Sequence, residues 1–307
     1  MSSIGIFFIK VISKLPFGVL YPFSWLLTHV IFKIIPYRRR VIEANIAGAF
    51  PEKSKKEIVS LRKKFYSFFN DLVVEAVKSF GISKKELKNR IQFVNMEVAE
   101  DYLKKGKSVI IVMGHYGNWE WAWLGYALNS KYACAGVYKP LHNKKFDDYF
   151  LKSRARFGGK LISMKTTSEY VSKNINKKPF TIGLISDQTP APQKGYWLNF
   201  MNRGTPVFLG VEMMARQHDM VVIFLSLSQQ KRGYYHANMQ LITDTPKKTP
   251  LGWITEQHTK LMEKTIKNKP QFWLWTHKRW KHKIPEHLKA NRISKNYPPS
   301  KEDKIDY

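Results

Sequence analysis

Three of the nine histidines in this 307-residue chain are followed five positions later by an acidic residue. A carboxylate placed beside an imidazole can orient the ring for general base catalysis. The three pairs are His115/Glu120, His142/Asp147 and His258/Glu263. The spacing alone is weak support for a catalytic role. We therefore use the secondary structure predicted around each pair to decide among the three pairs.

Two of the pairs are poorly placed for chemistry. His258 and Glu263 fall in one predicted helix, where five residues put the side chains on different faces, so we expect both at the surface. His142 and Asp147 lie between a predicted strand and a predicted helix, but two lysines separate them and oppose a protonated imidazole. This second pair is interpreted as a solvated basic turn.

His115 and Glu120 are the best placed pair. His115 lies in the turn after a predicted buried strand, and Glu120 lies in the first turn of the following helix. Gly114 and Gly117 flank the histidine and permit unusual dihedral angles and a close approach of substrate. Asn118 suits the N-cap of the helix. The competing interpretation is a structural histidine at a helix start.

A His–Glu pair without an adjacent serine or cysteine suits base catalysis on a substrate hydroxyl. The glutamate would hold one imidazole nitrogen, and the other nitrogen would accept the proton of the hydroxyl. The activated alcohol would then attack a thioester directly, without an acyl-enzyme. Metal binding is a weaker alternative, because the chain contains no zinc signature.

The elements that must position the pair alternate between strands and helices. The patterns predict strands over 108–113, 132–138, 180–186, 220–228, 234–242 and 272–275. They predict helices over 53–80, 84–90, 96–104, 119–128, 146–157, 206–217 and 253–268. This order predicts an α/β fold with a central, mostly parallel or mixed sheet flanked by helices. Sites in such sheets gather at the carboxyl ends of strands, here the stretches 114–118, 139–145 and 187–206.

The N-terminus carries an apolar segment that predicts a membrane-anchoring helical region. Residues 17–32 contain no charge, and residues 15–35 contain only Lys33. Spanning a bilayer takes about 20 apolar residues, and two prolines and a histidine interrupt this segment. Two other interpretations of this segment remain open: a helix that lies in the membrane plane, and a buried helix hairpin. The following Arg38, Arg39 and Arg40 suit an anionic cytoplasmic surface.

Charge and cysteine content narrow the class of protein. The chain has 52 Lys and Arg against 23 Asp and Glu, a net charge of +29 that attracts anionic partners. The lone Cys134 excludes an intrachain disulfide and is expected to be buried. A basic cluster with tryptophans at 273–283 suits a membrane interface or a solvated face. A nucleic-acid patch would explain neither the N-terminus nor the His115 turn.

Composition and hydropathy divide the chain into three parts. Residues 1–40 form the N-terminal membrane-associated segment, residues 41–284 form the main domain, and residues 285–307 form a polar tail.

The stretch His115-Tyr116-Gly117-Asn118-Trp119-Glu120 resembles the motif of the lipid A biosynthesis acyltransferases, the late lauroyl and myristoyl transferases of the lysophospholipid acyltransferase-like group. The resemblance covers about residues 10–283. Further matching blocks are Phe50-Pro51-Glu52, Lys139-Pro140, Arg154 with Gly158, Ser186-Asp187-Gln188, Gly204-Thr205-Pro206 and the closing 270–280 block.

The resemblance implies an enzyme of the inner membrane whose catalytic domain faces the cytoplasm. It implies acyl transfer from an acyl-carrier-protein thioester to a hydroxyl of a lipid A precursor, without a cofactor, metal ion or nucleic acid. His115 would be the general base and Glu120 its partner. The residues expected to bind substrate are Asn118, Arg154, Asp187, Gln188, Arg203 and Thr205. Arg154 would hold the anionic lipid or stabilise charge on the thioester carbonyl.

The closing block departs from the family, with Pro270-Gln271 where the family often has Pro-Glu. Two other functions also stay open. The acceptor could be a different lipid, such as an aminolipid or a lysophospholipid, or the protein could bind lipid on a membrane surface without catalysis.

Overall fold

A seven-stranded sheet flanked by helices is the centre of the computed structural model, which describes residues 2–34 and 37–285. The strands are β1 (Ile91–Phe93), β2 (Val109–Met113), β3 (Ala133–Tyr138), β4 (Lys160–Ser163), β5 (Phe180–Ile185), β6 (Gly195–Phe200), β7 (Arg203–Phe208), β8 (Val221–Lys231) and β9 (Tyr234–Thr243). The helices are α1 (Ser2–Lys14), α2 (Phe17–Lys33), α3 (Arg39–Ala49), α4 (Lys55–Lys78), α5 (Lys84–Arg90), α6 (Glu97–Lys104), α7 (Trp119–Asn129), α8 (Lys144–Ala155), α9 (Thr167–Asn174), α10 (Gly210–His218) and α11 (Trp253–Asn268).

The order of strands in the sheet is β1-β9-β8-β2-β5-β3-β4. Neighbours are parallel except for the antiparallel β8–β9 pair. β6 and β7 form a separate antiparallel hairpin. The predicted α/β fold with a mostly parallel, mixed sheet is therefore confirmed. β2 lies at the middle position, where its apolar β-branched run is buried.

Local capping signals explain where some of the helices begin. α4 begins at a capping box, in which Ser54 accepts a hydrogen bond from the Glu57 backbone and Glu57 accepts one from the Ser54 backbone. The predicted helices over 84–90 and 253–268 match α5 and α11. α11 carries apolar residues at helical spacing, and α5 begins after its N-cap Ser83, whose side chain accepts from the Glu86 backbone N–H.

Two element predictions were wrong. The predicted helix over 206–217 begins only at Gly210, because residues up to Phe208 pair with β6 in a hairpin. Met201 and Asn202 form its two-residue turn, both with positive φ, and this pair lacks the usual Asn-Gly signal. The predicted strand over 272–275 makes only one bridge, between Tyr116 and Trp273.

α2 buries polar side chains, Ser24 and Thr28, as well as apolar ones, Phe17 and Leu20. Its polar side chains face α4: Tyr21 donates to Glu75, Ser24 donates to Asp71, and Thr28 accepts from Asn70. Its opposite face and that of α1 expose apolar side chains, namely Ile4, Phe7, Phe8, Val11, Val19, Phe23, Trp25 and Leu26. We call these eight residues the N-terminal apolar surface.

The N-terminal helices α1 and α2 have 13 and 17 residues, fewer than the number that crosses a bilayer. Within residues 2–34 and 37–285, no helix combines the necessary length with the necessary apolar character, and α2 has 17 residues with Pro22 inside it. The prediction of a membrane-anchoring region is therefore not supported as a span. Residues 286–307, nearly all of the predicted polar tail, lie outside the described part of the chain.

Candidate active site

The carboxyl ends of β2 and β5 bring the principal side chains together. The two strands are parallel neighbours in the register Met113 opposite Ile185, and the Ser186 backbone N–H donates to the Met113 carbonyl at 2.9 Å. His115 follows Met113 by two residues, and Asp187 follows Ile185 by two residues. The register therefore places the two side chains side by side, although 72 positions separate them in the sequence.

Asp187 holds the imidazole of His115 through a short contact of 2.6 Å between Oδ1 and Nδ1. Its other oxygen, Oδ2, accepts from the His115 backbone N–H and from the Trp273 indole N–H, both at 2.8 Å. Burial tends to raise the pKa of Asp187, but the neighbouring imidazole and these donors lower it below its usual value. The ionised carboxylate accepts from Nδ1–H, which leaves Nε2 as the basic nitrogen.

The His115 loop (residues 114–118) is fixed on one side by the closing block. The Gly117 backbone N–H donates to the Phe272 carbonyl, and the Leu274 backbone N–H donates to the His115 carbonyl, both at 3.0 Å. Gly117 has φ of +63°, and a Cβ on Gly114 would meet the Met262 side chain at 2.5 Å. Gly117 therefore suits the backbone path of the loop, and Gly114 leaves the room that Met262 occupies.

Glu120 contacts Arg154 instead of His115. Arg154 Nε donates to Glu120 Oε2 at 2.9 Å, and a second guanidinium nitrogen contacts Oε1. Both side chains are partly exposed. Burial tends to lower the pKa of Arg154, but the glutamate raises it. The expected hydrogen bond from the His115 imidazole to Glu120 is not formed among the described residues, because Nδ1 contacts Asp187 and the start of α7 directs Glu120 toward α8. Whether Glu120 has a catalytic role stays a prediction.

Four further predicted site residues occupy different environments. Asn118 caps α7 as predicted and its side chain is fully buried, and its contact with substrate stays a prediction. Thr205 is also fully buried, hydrogen-bonded to Arg279. Gln188 is half-buried beside Asp187, and the Arg203 guanidinium lies over the Trp280 ring at 4.8 Å.

The two other histidine–acid pairs do not assemble a site. His142 is exposed, and Asp147 accepts from the Leu141 backbone N–H at 2.9 Å, as the interpretation of a basic turn implies. His258 was expected at the surface, and this was wrong: it is buried, and burial lowers its pKa to about 4. The helical face of His258 packs toward β2 and the core, which a single-helix argument cannot reveal.

The closing block holds residues for which the sequence predicted no individual role. Trp273 donates to Asp187, and the His277 Nε2 accepts from the Thr189 backbone N–H at 3.4 Å. Burial, together with the charge of Arg279, lowers the pKa of His277 to about 4, so its ring is neutral at pH 7. The only sequence signal for these residues was the match of the block to a known pattern.

The expected interfacial cluster at 273–283 is only partly at the surface. Lys278, Lys281 and Lys283 are exposed, but Trp273, Trp275 and Arg279 are buried. Arg279 donates to Thr205 and to the Pro206 carbonyl, and burial lowers its pKa to about 10. The expectation of an interfacial cluster was therefore wrong for Trp273, Trp275 and Arg279, which are buried, whereas the three lysines do lie at the surface.

Comparison with known proteins adds two findings. The sequence pattern of the family described as bacterial lipid A biosynthesis acyltransferase matches residues 1–282. The chain is also similar to the lipid A biosynthesis acyltransferase of Haemophilus influenzae, with 23% identity over 227 residues. That alignment covers 72% of this chain and 69% of the relative.

Proposed function

The chain belongs to the bacterial lipid A biosynthesis acyltransferase family, and on that premise we propose that it moves a fatty acyl chain from an acyl-carrier-protein thioester to a hydroxyl of a lipid A precursor. The observation that carries the proposal is the His115–Asp187 pair at the carboxyl edge of the sheet. A histidine oriented in this way is equipped to deprotonate an alcohol.

The reaction then runs in one displacement. His115 Nε2 takes the proton of the acceptor hydroxyl. At the same time the hydroxyl oxygen forms a bond to the thioester carbonyl carbon. The carbon–sulfur bond breaks, and the imidazolium returns the proton to the carrier's departing thiolate. Asp187 stabilises the imidazolium between these steps. Cys134 is buried, and burial raises the pKa of its thiol to about 11, so it does not serve as the nucleophile.

Arg154 supplies a positive charge that Glu120, in the first turn of α7, holds in place. Glu120 fixes its guanidinium through two contacts and leaves further N–H groups free to face an anion. In the proposed reaction this guanidinium stabilises negative charge on the thioester carbonyl oxygen or binds a lipid phosphate. A requirement for Glu120 would then act through Arg154, and not by contact with His115.

The charge of the chain is consistent with both substrates. Acyl-carrier protein is acidic and lipid A precursors carry phosphates, and the net charge of +29 attracts either one. The proposed location is the cytoplasmic face of the inner membrane, with the N-terminal apolar surface embedded in the plane of the bilayer. The apolar side chains that α1 and α2 expose suit that placement.

Placing a charge in the N-terminal apolar surface should weaken vesicle binding. We expect Phe7→Glu to lower the partition coefficient onto vesicles by about tenfold, because a buried Phe contributes about 1.5–3 kcal/mol. Co-sedimentation with vesicles of phosphatidylethanolamine and phosphatidylglycerol measures this. Val94→Glu is the matched control, since Val94 is 59% exposed, against 62% for Phe7, and lies outside the surface. Equal losses for the two variants would contradict the proposed location.

The function itself is tested by lipid mass spectrometry of acyl transfer. Purified protein is incubated with acyl-carrier-protein thioester and, separately, an under-acylated lipid A precursor, a lysophospholipid or an aminolipid. Addition of one acyl mass to the lipid A precursor supports the proposal. Transfer to another lipid instead would keep the chemistry and change the acceptor, whereas binding of lipid without any transfer would exclude an enzyme.

A further inference from the structure

A second carboxylate, Glu75, lies buried behind the His115 loop and takes no part in the proposed reaction. It is fully buried on α4 and accepts hydrogen bonds from three neutral donors. These are Tyr21 OH at 2.9 Å, Tyr235 OH at 2.8 Å and Asn118 Nδ2 at 2.8 Å. Burying a carboxylate costs free energy that an apolar residue would not, which points to a role beyond packing.

Asn118 links Glu75 to the His115 loop by hydrogen bonds. Its Nδ2 donates to Glu75, and its Oδ1 accepts from the Trp121 backbone N–H at 2.9 Å, which caps α7. The Trp121 indole N–H also donates to Ser79, one helical turn after Glu75. The closing block holds the other side of the loop, so α4 and the closing block together fix its path.

Glu75 also joins parts of the chain that are far apart in sequence. Tyr21 lies on α2, whose outer face belongs to the N-terminal apolar surface, and Tyr235 lies on β9. The carboxylate is therefore the point where α2, α4, β9 and the His115 loop meet. Burial raises the pKa of Glu75 to about 7 although its three donors oppose the rise.

We propose that Glu75 is a positioning residue for acyl transfer: through Asn118 it sets the path of the loop that carries His115, and through Tyr21 it ties α2 to that loop. The inference rests on the proposed function, which assigns the base to His115. Because Glu75 acts through Asn118, its loss should change the rate of the chemical step more than the binding of substrates.

Replacing Glu75 with glutamine should lower kcat by about ten- to a hundredfold while KM changes by less than about twofold, since small misplacements of catalytic groups have effects of this size. A glutamine has one acceptor oxygen where the carboxylate has two, so its amide N–H must face at least one of the three donors Tyr21, Tyr235 and Asn118, and the network that holds Asn118 is changed. The measurement is steady-state acyl transfer by the folded, full-length variant in lipid.

Glu212→Gln is the matched control. Glu212 is also a fully buried glutamate, and it accepts hydrogen bonds from the backbone N–H groups of Gly252 and Thr255 and from the Thr255 hydroxyl. These partners lie at the start of α11, away from the His115 loop. Both variants should lose stability, but only Glu75→Gln should lose kcat.

A swapped pair provides a rescue. In Glu75→Gln combined with Asn118→Asp, the glutamine amide donates to the new carboxylate, and aspartate remains a good N-cap for α7. We expect the kcat of the double variant to return to within about threefold of the wild-type value. This remaining decrease is much smaller than the decrease expected for a misplaced base. Asn118→Asp alone brings two carboxylates together and should be worse than the double variant.

A proton NMR signal, which does not depend on turnover, tests the role of Glu75 independently of the proposed function. The proton between His115 Nδ1 and Asp187 should give a downfield proton NMR resonance, which Glu75→Gln should shift or broaden and Glu212→Gln should not. If Glu75→Gln does not fold, Tyr235→Phe removes one donor and should give the same change in milder form. Equal kcat and equal spectra for the two glutamate variants would overturn the inference. A wild type without acyl transfer but with the predicted spectra would contradict only the proposed function.

Discussion

Replacing His115 with asparagine should lower kcat for acyl transfer by about a thousandfold, the middle of the range for a lost general base. The asparagine amide nitrogen lies close to where Nδ1 lies now, so it still donates to Asp187 and preserves the buried contact. The substitution removes only Nε2, the atom proposed to take the proton. The measurement is the rate of acyl transfer with saturating donor and acceptor, alongside thermal unfolding to verify that the variant is folded.

His142→Asn is the control for this experiment. His142 has the same five-residue spacing to an acid, but it lies in an exposed turn, and its acid is engaged by the Leu141 backbone. We expect its rate to stay within about twofold of the wild type, far from the effect of a lost general base. A full loss of activity in His142→Asn with normal turnover in His115→Asn would mean that the base has been assigned to the wrong histidine.

Asp187→Asn should produce the second largest loss, about a hundredfold or more in kcat, since the orienting group of a general base is removed. Three donors converge on this carboxylate, from the His115 ring, the His115 backbone and Trp273. An asparagine has one acceptor oxygen, so its amide must face one of these donors. If the amide faces Nδ1, the ring changes tautomer and Nε2 becomes a donor that cannot act as the base.

The Glu120→Gln variant distinguishes the role of the Glu120 carboxylate from that of the Asp187 carboxylate. Glutamine keeps one acceptor for Arg154 but loses the charge, so we expect a smaller decrease in kcat than in Asp187→Asn. The loss should also shrink when Arg154 is already replaced by methionine, because the glutamate would act through that arginine. A loss in Glu120→Gln that exceeds that of Asp187→Asn and is unaffected by Arg154→Met would restore Glu120 as the direct partner of the base.

The pH dependence of stability follows from the lowered pKa of Asp187. An acid with a lowered pKa in the folded state adds stability above its unfolded pKa, which is about 3.9 for aspartate. That stability is lost as pH falls through the folded value. The difference in unfolding free energy between the wild type and Asp187→Asn should therefore be constant near neutral pH and decrease below about pH 4. Urea unfolding at several pH values measures it.

Local sequence patterns predicted most of the helices and strands, because the signals that specify these elements lie within single segments of the chain. The β-branched run of β2, the capping box of α4 and the periodic apolar face of α11 each lie within one segment. The rule that sites follow the carboxyl ends of parallel strands then pointed to 114–118 and to the stretch that begins at Asp187. The hairpin of β6 and β7 was missed because its pairing joins segments whose turn residues carry no standard signal.

By itself the sequence determined the family, the α/β sheet and the histidine in the loop after β2, since motif and periodicity are written along the chain. Only the tertiary structure decided which acid holds that histidine. The choice between Glu120, five residues away, and Asp187, 72 residues away, depends on the register of β2 against β5 and on where the start of α7 points. The same holds for the contacts of Glu75 with Asn118 and with Tyr21 of α2, because contacts between distant segments arise from packing, which no local pattern specifies.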